Sequence, residues 1–392
     1  MNYIVNSSLT EKKNAKSFFF VLVLLLSEFF NSFCRACSII DTGISVNIRK
    51  VIFLFFFVFL LINIFKHMKS LLFPRRFVVS ILMFCYFTVI YFIKLDSFDI
   101  TSFMNIVMVA VIAIVGYICV LPNDRRLIDV IVSIYIFIMS IMYILQVIHG
   151  RYVSQSAAIN SIYYVVVLLP YVLVMREKSL KIFDSLIIVL ISLVSFKSTA
   201  IMIVIFVALL FYLSNKKQVT LKAFTLPIVL IIVYVLVSLF LYSLYGIDVY
   251  NTFVLANLQD GGNGRVDIWA DVIRRFQNNS LIDKLFGVGY EGVSKTSVMM
   301  FNYSAHNDFL EILFDYGIFG LVLFVATIIG QIKELVLMHK NKYEYRVLFA
   351  GLLIEALILF VFSNVLFQSG GLLIVVFLMF SCIKASYTTL EG

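Results

Sequence analysis

The fold of this chain is decided at residues 304–331, which have the sequence SAHNDFLEILFDYGIFGLVLFVATIIGQ. A polar segment containing His306 passes without interruption into an apolar run that begins at Phe309. An apolar run of about 20 residues is long enough to cross a bilayer as an α-helix. We therefore expect a membrane-spanning helix, with His306, Asn307 and Asp308 at its polar end.

The composition of the whole chain indicates an all-α integral membrane protein. Of its 392 residues, 62% are hydrophobic and 14% are charged, and the mean hydropathy is +1.04. Soluble domains carry about 25% charged residues, so a soluble fold is excluded. A membrane β-barrel is also excluded, because its strands alternate apolar and polar residues over about 10 positions, whereas apolar runs of about 20 residues recur here.

The hydropathy pattern predicts about 12 transmembrane helices. We expect them at residues 17–34, 51–66, 77–94, 99–121, 127–148, 161–175, 181–196, 199–214, 224–245, 309–331, 347–366 and 369–384. Only Lys197 and Ser198 separate two of these segments, which predicts a tight helical hairpin at that point. The first segment follows three lysines but precedes no small-residue cleavage pattern, so we expect it to be an uncleaved span.

Lysine and arginine residues set the expected orientation, because they favour the cytoplasmic side of a membrane protein. With the N-terminus inside, the inner connections carry 20 of the 31 Lys and Arg residues. Both termini are therefore expected in the cytoplasm, and these topology residues explain the net charge of +9 without a nucleic-acid partner. The predicted regions are a nine-span part at 1–245, an outer loop with amphipathic helices at 246–308, and a three-span part at 309–392.

The outer loop contains an arginine placed to contact an anion. Three glycines precede Arg265, and backbone N–H groups in such a segment can face an anion. Arg265 begins a predicted helix, whose N-terminus favours a phosphate. The apolar face of this helix is expected to lie on the membrane surface. That face consists of Val266, Trp269, Val272, Ile273 and Phe276. For Arg274 and Arg275, solvated charge and substrate binding both remain open.

Two other polar residues are candidates for chemistry. His306 adjoins both the outer loop and an entering helix, unlike the other histidines of the chain. A neutral imidazole is available near pH 7 as a base. Lys197 lies between two very apolar helices, where a charge is costly without water or a partner. It therefore either extends to the membrane surface or faces an anionic substrate.

Three acidic residues follow His306 at the start of the predicted helix. Asn307 or His306 is expected to cap this helix. Asp308, Glu311 and Asp315 share one helical face, at i, i+3 and i+7. We expect this face to point toward the aqueous side, where acidic charge near a helix N-terminus is favourable.

Two glycine-containing segments have predicted structural roles. Gly317 and Gly320 are expected to allow close packing of neighbouring helices. The segment 287–292 contains three glycines and is expected to form a turn between two loop helices. We find no ATP-binding loop and predict no metal site.

These residues resemble motifs of the O-antigen polymerase and ligase superfamily, which assembles bacterial surface polysaccharides. The most specific match is the run His306-Asn307-Asp308-Phe309-Leu310-Glu311, followed by Gly317 at the family's spacing of ten residues between a histidine and a glycine. Arg265, preceded by Gly264 and followed by Trp269, matches the family's loop arginine.

The chain departs from the family pattern at two places. Lys197 stands where the family has an arginine, which keeps the charge but loses the bidentate guanidinium. In a second loop motif the family has an arginine ten residues before a glycine, whereas Arg275 precedes Gly287 by one residue more.

The resemblance implies a GT-C-like fold in the bacterial inner membrane, with a large periplasmic loop. It implies an inverting, metal-independent glycosyltransferase that needs no cofactor and uses undecaprenyl-diphosphate-linked oligosaccharide. Arg265 and Lys197 would face the diphosphate, and His306 would act as a base or bind the diphosphate. Asn307 and Asp308 would orient the sugars or His306.

Several functions stay open at the level of the sequence. An O-antigen polymerase uses another lipid-linked repeat unit as the acceptor, whereas a ligase uses lipid A–core. We prefer the polymerase, because the Gly-x-Gly-Tyr before His-Asn-Asp-Phe resembles that branch. A lipid-linked oligosaccharide transporter and an acyltransferase are weaker alternatives. The expected partners are the lipid-linked donor and acceptor, the bilayer and a chain-length regulator protein.

Overall fold

A computed structural model describes a large part of the chain. The described residues are 19–26, 29–30, 50–51, 54–59, 62, 75–94, 98–118, 126–153, 159–175, 178–195, 197–214, 265–296, 304–363, 365–366 and 370–388. The predicted span at 224–245 and the loop glycines before Arg265 lie outside these ranges. Within them the secondary structure is helical and includes no strand, which confirms the all-α class.

The helices with defined bounds follow one another from residue 75 to residue 388. They are α1 (Arg75–Ile93), α2 (Ile100–Ile118), α3 (Arg126–Val153), α4 (Tyr163–Val166), α5 (Leu169–Met175), α6 (Lys178–Ser195), α7 (Ser198–Ser214), α8 (Arg265–Asn278), α9 (Leu281–Phe286), α10 (Gly292–Lys295), α11 (Asp308–Lys340), α12 (Arg346–Phe362) and α13 (Gly370–Thr388). A short 3₁₀ helix, Ile159–Ile162, precedes α4.

Several of these helices are suited to a bilayer. Among the described residues, Ile100–Ile118, Leu127–Gln146 and Asp308–Lys340 are long and apolar enough to cross a membrane, and α1, α4–α5, α7 and α13 supply shorter apolar helices. Together with the composition, these helices make the chain an all-α membrane protein. The number of about 12 spans stays a prediction.

The core of the bundle is built by close pairs of helices. α13 packs along α2, α11 along α1, and α12 along α7. At Gly116 of α2 an added Cβ would lie 2.5 Å from the carbonyl oxygen of Phe377 in α13, so the two backbones meet at a distance that a side chain would prevent. The hydroxyl of Ser381 also donates to the Gly116 carbonyl at 2.8 Å.

The predicted hairpin around Lys197 is confirmed, because α6 ends at Ser195 and α7 begins at Ser198. The predicted apolar segment 161–175 is also helical over Tyr163–Met175. An interruption at residues 167–168 divides it into α4 and α5. Pro170 lacks the N–H that would bond to the Val166 carbonyl, and this loss favours the interruption.

α11 contains a break that divides it into two parts. Gly317 has φ of 69° and ψ of −171°, which ends a first part at residues 308–316, called here the α11 arm. The last carbonyl groups of the arm accept hydrogen bonds from residues outside the helix. The N–H groups of Val288 and Gly289 donate to the carbonyls of Phe314 and Asp315 at 3.2 and 2.9 Å. The arm therefore ends as a capped helix.

Gly317 and Gly287 bring two backbones together at this break. A Cβ at Gly317 would lie 2.4 Å from the carbonyl oxygen of Leu285, and one at Gly287 would lie 2.2 Å from the carbonyl oxygen of Asp315. The prediction that Gly317 allows close packing of neighbouring helices is thus confirmed, because its backbone lies against that of α9. Its positive φ also interrupts α11. Gly320 does lie against α1, where a Cβ would meet Phe87 at 3.4 Å.

α9 and the turn that follows it are docked on α1 and α2, whereas α8 and α10 pack against α11. The ammonium of Lys94 pairs with the carboxylate of Asp283 in α9 at 2.7 Å. The amide of Asn105 donates to the hydroxyl of Tyr290 at 3.2 Å. The predicted turn over 287–292 is confirmed, since α9 ends at Phe286 and α10 begins at Gly292.

We predict that Gly317→Ala lowers the stability of the purified protein. A non-glycine residue at such a φ costs about 1–3 kcal/mol, and the added Cβ would also clash with the Leu285 carbonyl. The midpoint of thermal unfolding in detergent should fall. Val322→Ala, on the exposed side of the same helix, should change the midpoint much less. Equal midpoints for the two variants would contradict the described break.

Candidate functional site

Three buried carboxylates on one face of the α11 arm hold three other segments in place. Asp308 accepts hydrogen bonds from the backbone N–H groups of Val365 and Leu366 at 3.2–3.3 Å. Glu311 accepts one from the Ala305 N–H at 2.7 Å, and Asp315 accepts one from the Val293 N–H at 3.1 Å. All three residues are buried. The expectation that they face water is therefore wrong, because each accepts a hydrogen bond from a segment packed on this face.

His306 stands directly before the arm, in a strained backbone conformation. Asn307 is the N-cap: its side-chain oxygen accepts from the Leu310 N–H at 3.1 Å, as predicted. Its amide nitrogen donates to the Val361 carbonyl at 3.1 Å. His306 has a φ of 49°, a value uncommon for a residue with a side chain. Strain of this kind concentrates at functional sites in proteins.

α8 is fixed to the segment that carries His306. The indole N–H of Trp269 donates to the Ala305 carbonyl at 2.8 Å. Val272 is buried with Ala305 and Phe314 in a small apolar cluster. The prediction that the whole apolar face of α8 lies on the membrane surface is therefore wrong at Val272, which packs against the α11 arm. Val266 and Ile273 of the same face are exposed, and their contact with the membrane stays a prediction.

The structure brings together Arg265, Lys197 and His306. Arg265 is the first residue of α8, Lys197 lies in the connection between α6 and α7, and His306 precedes α11. The charges of Arg265 and Lys197 both act on the imidazole, and the charge of Arg265 acts on Lys197. Three residues that are far apart in the sequence thus form one half-buried site at one end of the bundle.

Burial and mutual repulsion set the protonation of this site. Burial, with the charges of Arg265 and Lys197, lowers the pKa of His306 below its usual range. The imidazole is therefore neutral at pH 7 and can accept a proton. Burial, with the charge of Arg265, lowers the pKa of Lys197 to about 7. An anion bound between these groups would favour the charged form of Lys197.

Tyr163 and Ser363 are members of the site that the sequence did not indicate. The ammonium of Lys197 lies 4.6 Å from the centre of the Tyr163 ring, a cation–π contact. The Ser363 hydroxyl donates to the Tyr163 hydroxyl at 3.1 Å. Tyr163 therefore connects Lys197 to the end of α12, where Asp308 and Asn307 are also bound. A tyrosine within an apolar run carries no sequence signal for this role.

Arg274 and Arg275 both pair with Asp271 but differ in their surroundings. The side chain of Arg274 is 73% exposed and pairs at 2.8 Å. That of Arg275 is 14% exposed and also donates to the Val293 carbonyl and the Thr296 hydroxyl. Arg275 thus ties α8 to α10. Substrate binding by either residue stays a prediction.

The arrangement is suited to a reaction in which a phosphate leaves and a hydroxyl attacks. Fixed cations stabilise the negative charge that develops on a leaving phosphate. A neutral imidazole can take the proton of an attacking hydroxyl. Among the described residues, no cluster of His, Cys, Asp and Glu is placed to hold a metal ion.

The fold and site thus define a multi-helical membrane protein with a cationic and imidazole-containing site. A protein-family model described as O-antigen ligase matches residues 183–325. This segment includes Lys197, Arg265, His306 and Gly317. The match supports the O-antigen polymerase and ligase superfamily that the three motifs predict, and members of this family are glycosyltransferase-like enzymes. A search of curated proteins finds no match.

We predict that Glu311→Ala destabilises the protein more than Glu311→Gln. Alanine leaves the buried N–H of Ala305 without its acceptor, which costs about 1–3 kcal/mol. Glutamine retains a carbonyl oxygen that can accept the same hydrogen bond. Thermal unfolding of the purified proteins measures the difference. A wild-type midpoint for Glu311→Ala would show that this hydrogen bond does not hold the His306 segment.

Proposed function

We propose that this protein is an O-antigen polymerase of the bacterial inner membrane. It transfers a glycan from undecaprenyl diphosphate to the non-reducing end of another lipid-linked repeat unit, on the periplasmic side. The observation that carries the proposal is the convergence of Arg265 and Lys197 on His306, within the segment matched by the family model. A chain-length regulator and the bilayer would be its other partners.

Each residue of the site has a role in this reaction. Arg265 and Lys197 bind the diphosphate and stabilise the charge that develops as the bond from the anomeric carbon to phosphate breaks. The acceptor hydroxyl forms the new bond to that carbon, and His306 takes the proton of the hydroxyl. A single displacement of this kind inverts the anomeric configuration.

The protonation of the site supports the role of His306 as a base. A histidine that binds phosphate through charge must be an imidazolium, and the lowered pKa opposes this form. Asn307 and Asp308 support the geometry of His306 through backbone hydrogen bonds. Their role in this proposal is therefore to orient His306.

An O-antigen ligase is the second candidate. The family model is itself described as O-antigen ligase, and the same site could serve either acceptor. The two functions differ in the acceptor glycan or lipid, which must approach from the periplasmic side. Analysis of the surface polysaccharide separates them.

We predict that deletion of the gene leaves one repeat unit on lipid A–core and abolishes longer chains. His306→Ala and Arg265→Ala should reproduce this phenotype at normal protein levels, since each such group contributes roughly 100-fold or more to a rate. Val266→Ala is the matched control, because Val266 is exposed beside Arg265. Gel analysis of lipopolysaccharide measures chain length.

The same experiment can contradict each part of the proposal. Loss of every repeat from the core, with accumulation of lipid-linked polymer, would show a ligase. Full-length chains in both the His306 and Arg265 variants would show that the site is elsewhere.

We predict a bell-shaped dependence of kcat/KM on pH, and that Lys197→Arg removes its alkaline limb. As pH rises through about 7, Lys197 loses its proton and the positive charge that binds the diphosphate. Arginine stays charged over this range. As pH falls below the lowered pKa of His306, the base becomes protonated and activity falls in both proteins.

The acid limb tests the assignment of His306. A rate that rises toward low pH would show that the imidazolium binds phosphate. An alkaline limb that persists in Lys197→Arg would show that Lys197 does not supply the charge. The measurement is transfer by purified protein with lipid-linked donor over a range of pH.

A further inference from the structure

The short helix α9 of the outer loop exposes an apolar surface. Leu281 is 72% exposed and Ile282 is 64% exposed, and Phe286 is exposed beside them. These three residues are called here the α9 surface. The polar side of the same helix makes its contacts within the protein. Asp283 forms an ion pair with Lys94 and accepts a hydrogen bond from the hydroxyl of Ser280.

The α9 surface is continuous with a membrane-facing stripe of α11. The ring of Phe286 packs on that of Phe319, with 5.3 Å between the ring centres. Phe319 is itself exposed. From that point, exposed apolar residues follow one another along α11 at alternating spacings of four and three. They are Ile318, Val322, Val325, Ile329, Ile332 and Val336.

The length of this stripe locates its end in the bilayer. From Ile318 to Val336 a helix rises about 27 Å. The hydrocarbon core of a bilayer is about 30 Å thick. A stripe of this length covers most of the core, which puts Ile318 near the boundary with the headgroups. Since α9 packs beside Phe319, the α9 surface lies at that same boundary.

We propose that α9 inserts Leu281 and Ile282 into the outer boundary of the bilayer. Its ligand is lipid: acyl chains cover the apolar side chains, and Lys284 lies at the level of the headgroups. A short helix with a strongly apolar side suits this interfacial position. This surface goes beyond the proposed reaction and does not depend on it.

Insertion would fix the height of the candidate site above the membrane. α9 leads directly into Gly287, whose backbone lies against the end of the α11 arm. The arm carries His306 at its other end. A lipid anchor at α9 therefore holds the arm at a set level, close to the plane where the phosphate of a lipid carrier lies.

A nitroxide label measures this insertion directly. The five native cysteines are replaced, Ile282→Cys is labelled, and the full chain is placed in lipid nanodiscs. Power saturation compares accessibility to oxygen, which concentrates in lipid, with accessibility to a water-soluble nickel chelate. Val322→Cys is the lipid reference and Gln277→Cys, exposed on α8, is the aqueous reference. Leu281→Cys repeats the test if Ile282→Cys does not fold.

The proposal predicts a ratio of oxygen to nickel accessibility at position 282 that is shifted from the value at 277 toward that at 322. A ratio equal to that at 277 would overturn it, because α9 would then lie in water. Low accessibility to both reagents would also overturn it, by showing that another protein chain covers this surface. None of these outcomes depends on transfer activity.

Discussion

The arrangement of the site depends on hydrogen bonds between buried carboxylates and backbone N–H groups. Asp308, Glu311 and Asp315 lie on one face of the α11 arm and hold the ends of α12, the His306 segment and α10. A buried carboxyl group is costly unless it is hydrogen-bonded, so each of these contacts restrains the segment that it binds. The arm is thus the common support of three segments that the chain order keeps apart.

The reactive groups follow from this support. Because Ala305 is bound by both Glu311 and Trp269, the position of His306 is coupled to α8 and hence to Arg265. Asp308 binds the segment that follows α12. Ser363, next to the end of α12, donates a hydrogen bond to Tyr163, and the Tyr163 ring contacts the ammonium of Lys197. Two cations and a neutral imidazole therefore share one half-buried place. This combination suits the departure of a diphosphate, since the cations are fixed before charge develops.

The sequence predicted most of the described helices and three residues of the candidate site, His306, Arg265 and Lys197. It indicated neither Tyr163 and Ser363 nor the hydrogen bonds that hold the site together. Hydropathy located α1, α2 and the Lys197 hairpin, because lipid exposure demands long apolar runs. Motif spacing identified His306 and Arg265. Periodicity placed the three carboxylates on one face, yet it could not show which segments pack there. The break at Gly317 depends on the backbone of Leu285 and Gly287, and such a contact leaves no local pattern in either segment.

The most direct test is an electron cryo-microscopy structure with undecaprenyl diphosphate bound in lipid nanodiscs. We expect diphosphate density in contact with Arg265 and Lys197. We also expect His306 to lie beside the terminal phosphate, to which the anomeric carbon of a donor sugar would be bonded, and Asp308, Glu311 and Asp315 to remain buried on their backbone partners. Diphosphate bound away from Arg265 and Lys197, or an α11 arm with its carboxyl groups turned to water, would contradict the proposed site.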